Sequence, residues 1–273
     1  MHENKNRSVP FYKTISTDNV EKPWITMVHG ASQHSDIFSA QINSFQQDYR
    51  LLLIDLPGHG RSASMSGPYG LEEYAASVLT AMNDAGVEKT HFWGTHTGAG
   101  VGLLLASRYV KRFHSLVLEG AVVPDVGAPS IANNLGRAKA TARECGVAMA
   151  RKEWFEKAEW FAVMRDNPKH CRAEEHWQMI EQFSGAPWLD SSIAKSVAPI
   201  LDQAAVMPIP VLLMNGQYDL PDFVHMTDQL AAKLPNVQRA VIPDAGGFPL
   251  WEFPDLVNER VHRFLGTWRK DTA

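Results

Sequence analysis

Short apolar runs closed by a glycine or a turn recur along the chain and constrain its fold most. They are Trp24–Val28, Leu51–Ile54, His91–Trp93, Leu116–Leu118, Val211–Met214 and Ala240–Ile242. Their length and their Leu-rich or β-branched content suit strands buried on both faces. The segments between them carry helical periodicity. Leu71, Tyr74, Ala75, Val78, Leu79 and Met82 fall at i, i+3, i+4 and i+7, and a second helix opens near Thr97 and runs through Leu103, Leu104 and Ala106. Strand and helix in alternation predict an α/β fold: a mainly parallel, twisted sheet with helices on both faces.

One stretch breaks the alternation. From about Val126 to Val206 the chain opens with Gly127 and Pro129, then reads as helices holding Trp154, Trp160, Trp177 and Trp188. The expected organisation is therefore a core of residues 1–125 and 207–273 with a helical cap, 126–206, inserted between two core strands. Aromatic side chains glue a cap to a core, and as a set they also predict a pocket with apolar walls.

Composition narrows the partners. Lys+Arg 26 against Asp+Glu 30 gives a net charge of −4 without a basic block, which argues against nucleic acid. The apolar runs fall far short of the ~18 residues of a membrane span, and the polar start, MHENKNRSVP, lacks the apolar stretch of a signal peptide. Cys145 and Cys171 are the two cysteines, too few for a disulfide framework or a metal cluster. A soluble, cytoplasmic chain is expected. No metal-ligand spacing, Walker loop or dinucleotide fingerprint occurs, so no metal and no cofactor are expected, and the partner expected is a small-molecule substrate.

Ordered motifs then carry a resemblance. After the first core strand comes His29-Gly30-Ala31, with Phe38 and Gln41 downstream. Asp55-Leu56-Pro57-Gly58-His59-Gly60-Arg61-Ser62 follows the next strand, and Gly94-Thr95-His96-Thr97-Gly98 stands at a strand-to-helix junction. Gly216-Gln217-Tyr218-Asp219 and Pro243-Asp244-Ala245-Gly246-Gly247-Phe248-Pro249, with Glu252 and Pro254, complete the series. From about Trp24 to Leu265 the chain resembles the α/β-hydrolase fold superfamily, whose G-x-nucleophile-x-G elbow the third motif matches. That family includes monomers and dimers, so the resemblance implies either a monomer or a homodimer.

At two positions the chain departs from the family pattern. His96 occupies the nucleophile position, and Gly247 stands where the family usually carries its catalytic histidine. An ordinary Ser-His-Asp hydrolase is thereby excluded. The resemblance implies that His96 faces the pocket, and an imidazole there would reach towards the space emptied at Gly247. Two acids are candidates to orient it: Asp219, at the family's usual acid position, and Glu119, at the end of the strand before the cap. Thr95 and Thr97, flanking His96, are expected to point away from the pocket.

An oxyanion site made by the backbone N–H groups of Ala31 and Thr97 is implied as well. Ser32, His34, Trp154 and Trp160 are candidates to line the pocket, whereas His59, His91 and His114 read as structural. The implied function is cofactor-independent hydrolysis of an ester, lactone or C–C bond in a small apolar or aromatic carbonyl compound. The alternatives are a lyase or cofactor-free oxygenase on the same fold, or a ligand-binding member without turnover. An imidazole base predicts a rate–pH profile with an acidic limb near the ordinary histidine value.

Overall fold

The computed structural model describes residues 1–3, 8–16 and 21–271, with side chains to 267. Its strands are β1 His2–Glu3, β2 Tyr12–Ile15, β3 Trp24–Val28, β4 Arg50–Ile54, β5 Thr90–Thr95, β6 Phe113–Glu119, β7 Val211–Gly216 and β8 Val237–Ile242. They form one sheet of 8 strands in the order β1-β2-β4-β3-β5-β6-β7-β8. β1–β2 and β2–β4 pair antiparallel, and every other pairing is parallel.

Each apolar run expected to be a strand lies within one. The central strands β5 and β7 are buried along their whole length, which is why their sequences lack a polar alternation. Sequence reading gave no signal for β1 and β2. Tyr12–Ile15 is four residues with an interior lysine, and it becomes a strand by antiparallel pairing with the exposed flank of β4.

The core helices follow the strands: α1 Ser39–Phe45 after β3, α2 Leu71–Asp84 after β4 and α3 Thr97–Arg108 after β5. α2 buries Tyr74, Ala75, Val78, Ala81 and Met82, the stripe its periodicity marks. Between β6 and β7 run α4 Pro129–Cys145, α5 Val147–Lys157, α6 Ala162–Asp166, α7 Ala173–Glu181, α8 Ala186–Leu189 and α9 Leu201–Ala204. The chain closes with α10 Pro221–Lys233 before β8, then α11 Pro249–Glu252 and α12 Pro254–Asp271. Among the described residues no helix is long and apolar enough to cross a membrane.

Because β3, β5, β6, β7 and β8 run parallel, their carboxyl ends open at one edge of the sheet. Such an edge is where ligands bind in open α/β folds. The helices between β6 and β7 lie against that edge through polar contacts. Trp154 Nε1 donates to Ser32 Oγ at 2.8 Å, Gly247 N donates to the Trp160 carbonyl at 3.3 Å, and Ser184 Oγ donates to the Gly58 carbonyl at 2.5 Å.

Candidate active site

His96 sits between β5 and α3 with φ 47° and ψ −109°, a backbone conformation that residues with a side chain rarely adopt. Close packing around the turn imposes it. A Cβ on Gly98 would lie 2.1 Å from the Val28 carbonyl oxygen, and one on Gly94 would lie 2.4 Å from Gly98 backbone atoms. Only glycine fits at either point, so β5 and α3 meet at an acute angle that lifts residue 96 out of the sheet. The elbow inferred from the motif is present, and its side chain is an imidazole.

The ring lies low. A Cβ on Gly120 would fall 2.8 Å from His96 Cδ2 and 3.0 Å from Nε2, while one on Gly30 would fall 3.3 Å from Nδ1. Phe223 and Phe248 flank it, with ring centroids at 4.5 and 4.9 Å. Nδ1 is 3.2 Å from Thr95 Oγ1, which itself donates to Glu119 Oε1 at 3.3 Å. Nε2 is buried with no hydrogen-bond partner among the described residues. Burial disfavours the imidazolium and pushes the ring down to about 3, a shift that a backbone group of Gly247 only partly opposes. His96 is therefore a neutral imidazole at neutral pH.

No vacancy exists at Gly247. A Cβ there would lie 2.7 Å from Trp160 Cβ and 2.8 Å from the Trp160 carbonyl oxygen. The helical segment between β6 and β7 has settled onto the glycine, so the space towards which the imidazole was expected to reach is occupied. The ring leans instead towards Gly120 and Asp219.

Neither candidate acid bonds His96 directly. Asp219 Oδ2 accepts from Asn215 Nδ2 and Oδ1 from Leu220 N, both at 2.8 Å. The point where a Gly120 Cβ would sit is 3.0 Å from His96 Nε2 and 3.7 Å from Asp219 Oδ2, so the two groups face each other across that glycine. Burial raises the Asp219 carboxyl to about 7. Glu119 is fully buried, with Oε2 accepting from Leu250 N at 3.1 Å. A third carboxyl, Glu252, accepts from Gly246 N at 2.5 Å and is raised by burial to about 7. Glu252 was visible in the last motif, but nothing in its spacing showed that it joins the other two beneath the site.

Burial, then the neighbouring Asp219 and Glu252 carboxyls, hold Glu119 well above the ordinary carboxyl range. The folded protein thus binds this proton more tightly than the unfolded chain. Its stabilising contribution is full below the ordinary glutamate value and is lost as pH rises through the raised one. Glu119→Gln removes that titration. Thermal melts from about pH 6 to 9 are expected to fall less steeply for the variant than for the wild type. Parallel curves would contradict a buried, raised Glu119.

Above the ring lies a cavity of about 160 Å³ lined by Ala31, His96, Thr97, Val122, Ile131, Leu135, Trp154, Trp160, Phe161, Phe223 and Phe248. A second chamber of about 220 Å³ shares Ala31, Thr97, Val122 and Leu135 with it and extends to His59, Tyr69, Tyr74 and Lys139. A larger open groove, about 730 Å³, is lined by Lys152, Phe155, Arg165, Lys169, Arg172 and Trp177, among others, and shares no residue with the elbow cavity. Chemistry centred on residue 96 belongs to the smaller pair.

Ala31, Thr97, Trp154 and Trp160 all line the cavity. Thr95 does face away, into the sheet. Ser32 and His34 are not among the lining residues. Ser32, at φ 59°, accepts from the Trp154 indole, and the His34 ring accepts from Asp36 N at 3.4 Å, capping the turn that follows. His59 Nδ1 lies 3.0 Å from the Pro57 carbonyl, and the ring forms part of the second chamber. Sequence reading did not single out His176. It is buried between Phe161, Phe248 and Trp251, with Nε2 3.5 Å from Gln33 Nε2, and no motif surrounds it.

Known proteins of similar sequence and structure share this framework. Over 263 residues the chain is 23% identical to the pimeloyl-[acyl-carrier protein] methyl ester esterase of Nitrosomonas europaea, covering 85% of this chain and 92% of that protein. It is 22% identical to 3-oxoadipate enol-lactonase 2 of Acinetobacter baylyi over 209 residues, 73% of this chain and 72% of the relative. Among solved structures, the enol-lactonase from Burkholderia xenovorans superimposes with a TM-score of 0.78 at 21% identity, covering 93% of this chain and 95% of that one. MenH from S. aureus gives 0.80 at 20% identity, with 94% and 98% covered. The family model for the alpha/beta hydrolase fold matches residues 23–254, and with the elbow, the sheet order and the helical insertion in place, this chain belongs to the α/β-hydrolase fold family.

Proposed function

We infer that the protein is a cofactor-independent enzyme that hydrolyses an ester, lactone or C–C bond of a small apolar or aromatic carbonyl compound. The observation that carries this reading is the imidazole at the elbow. Among the residues lining the apolar cavity His96 is the one titratable side chain, and its Nε2 is a buried polar atom with no hydrogen-bond partner among the described residues. Leaving such an atom unpaired costs ~1–3 kcal/mol, so a water or substrate hydroxyl that reaches it is favoured there.

In this reading His96 is the general base. Its neutral state leaves a lone pair available throughout the neutral range, and the Asp219 carboxylate across Gly120 offsets the charge that develops when the ring takes a proton. The backbone N–H groups of Ala31 and Thr97, beside the N-terminus of α3, would receive the developing oxyanion, and both residues line the cavity. The helices between β6 and β7 act as a cap, and Trp154 and Trp160 form the wall that selects apolar substrates. The esterase and lactonase relatives support the hydrolytic class.

The dryness of the cavity favours a second reading. Apart from His96 and Thr97 its lining is aliphatic or aromatic, which leaves little to hold a hydrolytic water. Base and oxyanion site without a bound water suit proton abstraction, a lyase step or cofactor-free oxygenation, or ligand binding without turnover. A panel of aromatic esters and lactones incubated in H₂¹⁸O separates the two. Label in the acid product supports hydrolysis. Oxygen uptake, or solvent deuterium exchanged into intact substrate, moves the reading to the second class.

A further inference from the structure

β5 and β6 place Thr95 and Glu119 as register partners, so the two side chains lie side by side on neighbouring strands. Both are fully buried beneath His96. Leu250 N occupies Glu119 Oε2 at 3.1 Å, which leaves Oε1 to accept from the Thr95 hydroxyl at 3.3 Å. A hydroxyl has a single proton. Having given it to the carboxyl, Thr95 Oγ1 faces His96 Nδ1, 3.2 Å away, with lone pairs only. With Oε1 as the unprotonated oxygen of the Glu119 carboxyl, Nδ1 is then the protonated nitrogen, and Nε2 bears the lone pair.

We propose that Thr95 is a positioning residue: its hydroxyl links the buried Glu119 carboxyl to His96 Nδ1 and selects the ring tautomer whose Nε2 is free to accept a proton. The inference rests on the reading of His96 as a base. It assigns Glu119 an indirect part, because Glu119 does not touch the ring. Gly120 is the reason the arrangement closes. Any side chain there would press on Cδ2 and Nε2 and displace the imidazole.

The experiment reads the tautomer directly, without substrate. The full chain is labelled with ¹⁵N-histidine, and the His96 signals are identified among the 11 histidines by their absence in His96→Ala. At neutral pH the wild type is expected to show a protonated Nδ1 and an unprotonated Nε2. Thr95→Val keeps the shape and removes the acceptor, so the Nδ1–H pattern is expected to be lost, whereas Thr95→Ser retains it. A wild type protonated at Nε2, or a Thr95→Val spectrum identical to the wild type, overturns the proposal. If Thr95→Val does not fold, the wild-type and Thr95→Ser spectra decide by the same criterion.

With a working substrate, kcat is expected to fall ~10-fold or more in Thr95→Val, with KM little changed and recovery in Thr95→Ser. Nδ1–H in the wild type and Thr95→Ser, lost in Thr95→Val, in a protein that turns nothing over would uphold the linkage and refute the enzymatic reading.

Discussion

His96→Ala is expected to lower turnover of the accepted ester or lactone by ~10²-fold or more, with the fold retained. The pH profile is the more telling half of the result. An imidazole at its ordinary value would give an acidic limb in the range where histidines usually titrate. Burial holds His96 at about 3 instead, so it stays neutral, and available as a base, as the pH falls through that range. The wild-type rate is therefore expected to show no limb from His96 above strongly acidic pH.

A rise near neutrality is expected from Asp219, whose carboxyl is raised to about 7 and whose ionised form supports the protonated ring. Its sign is fixed: the rate climbs as pH increases through 7, because the carboxylate is the useful form. Asp219→Asn is expected to remove that limb. Equal rates in His96→Ala and wild type would eliminate the elbow imidazole as the catalyst.

Gly247→His, which places at this position the histidine that the resemblance leads one to expect, is expected to destabilise the protein without adding activity. The new Cβ alone would sit 2.7 Å from Trp160 Cβ and 2.8 Å from the Trp160 carbonyl oxygen. One of those atoms is backbone, so no rotamer change relieves the clash, and the turn carrying Trp160, between α5 and α6, must lift. Overpacking of this kind costs ~1–3 kcal/mol, or several degrees in Tm. Gly247→Ala is expected to be nearly as damaging, since the first carbon makes the clash. Tm and tryptophan fluorescence read both variants. An alanine variant that melts with the wild type would show that the helical segment moves freely over the last loop.

The same contacts predict that exchanging single residues at positions 96 and 247 will not install working catalytic parts. Position 247 has been closed by Trp160, and position 96 holds a ring that packs against Phe223, Phe248 and Gly120. The elbow, the last loop and the helices over them fit one another as a set.

Much of this was legible in the residues. Glycines at 94 and 98 on either side of His96 mark a turn that no other residue type permits, because the backbone contacts there are short-range and steric. The buried strands β3 to β7 announce themselves by continuous apolar runs, since a strand covered on both faces has no solvent side to record. β1 and β2 left no such trace, because β2 is recruited by the free flank of β4, and β1 in turn by β2, rather than by their own composition.

The sequence by itself determined the fold, the elbow and the residues that stand at 96 and 247, all of which follow from local sterics and from motifs contiguous in the chain. Only the tertiary structure decided what surrounds those residues. Trp160 closes the space over Gly247, Thr95 stands between Glu119 and His96, and burial turns the imidazole neutral and three carboxyls reluctant to ionise. The physical reason is that protonation and occupancy depend on what packs within a few ångströms. Those neighbours come from strands and helices whose separation along the chain carries no record of the contact.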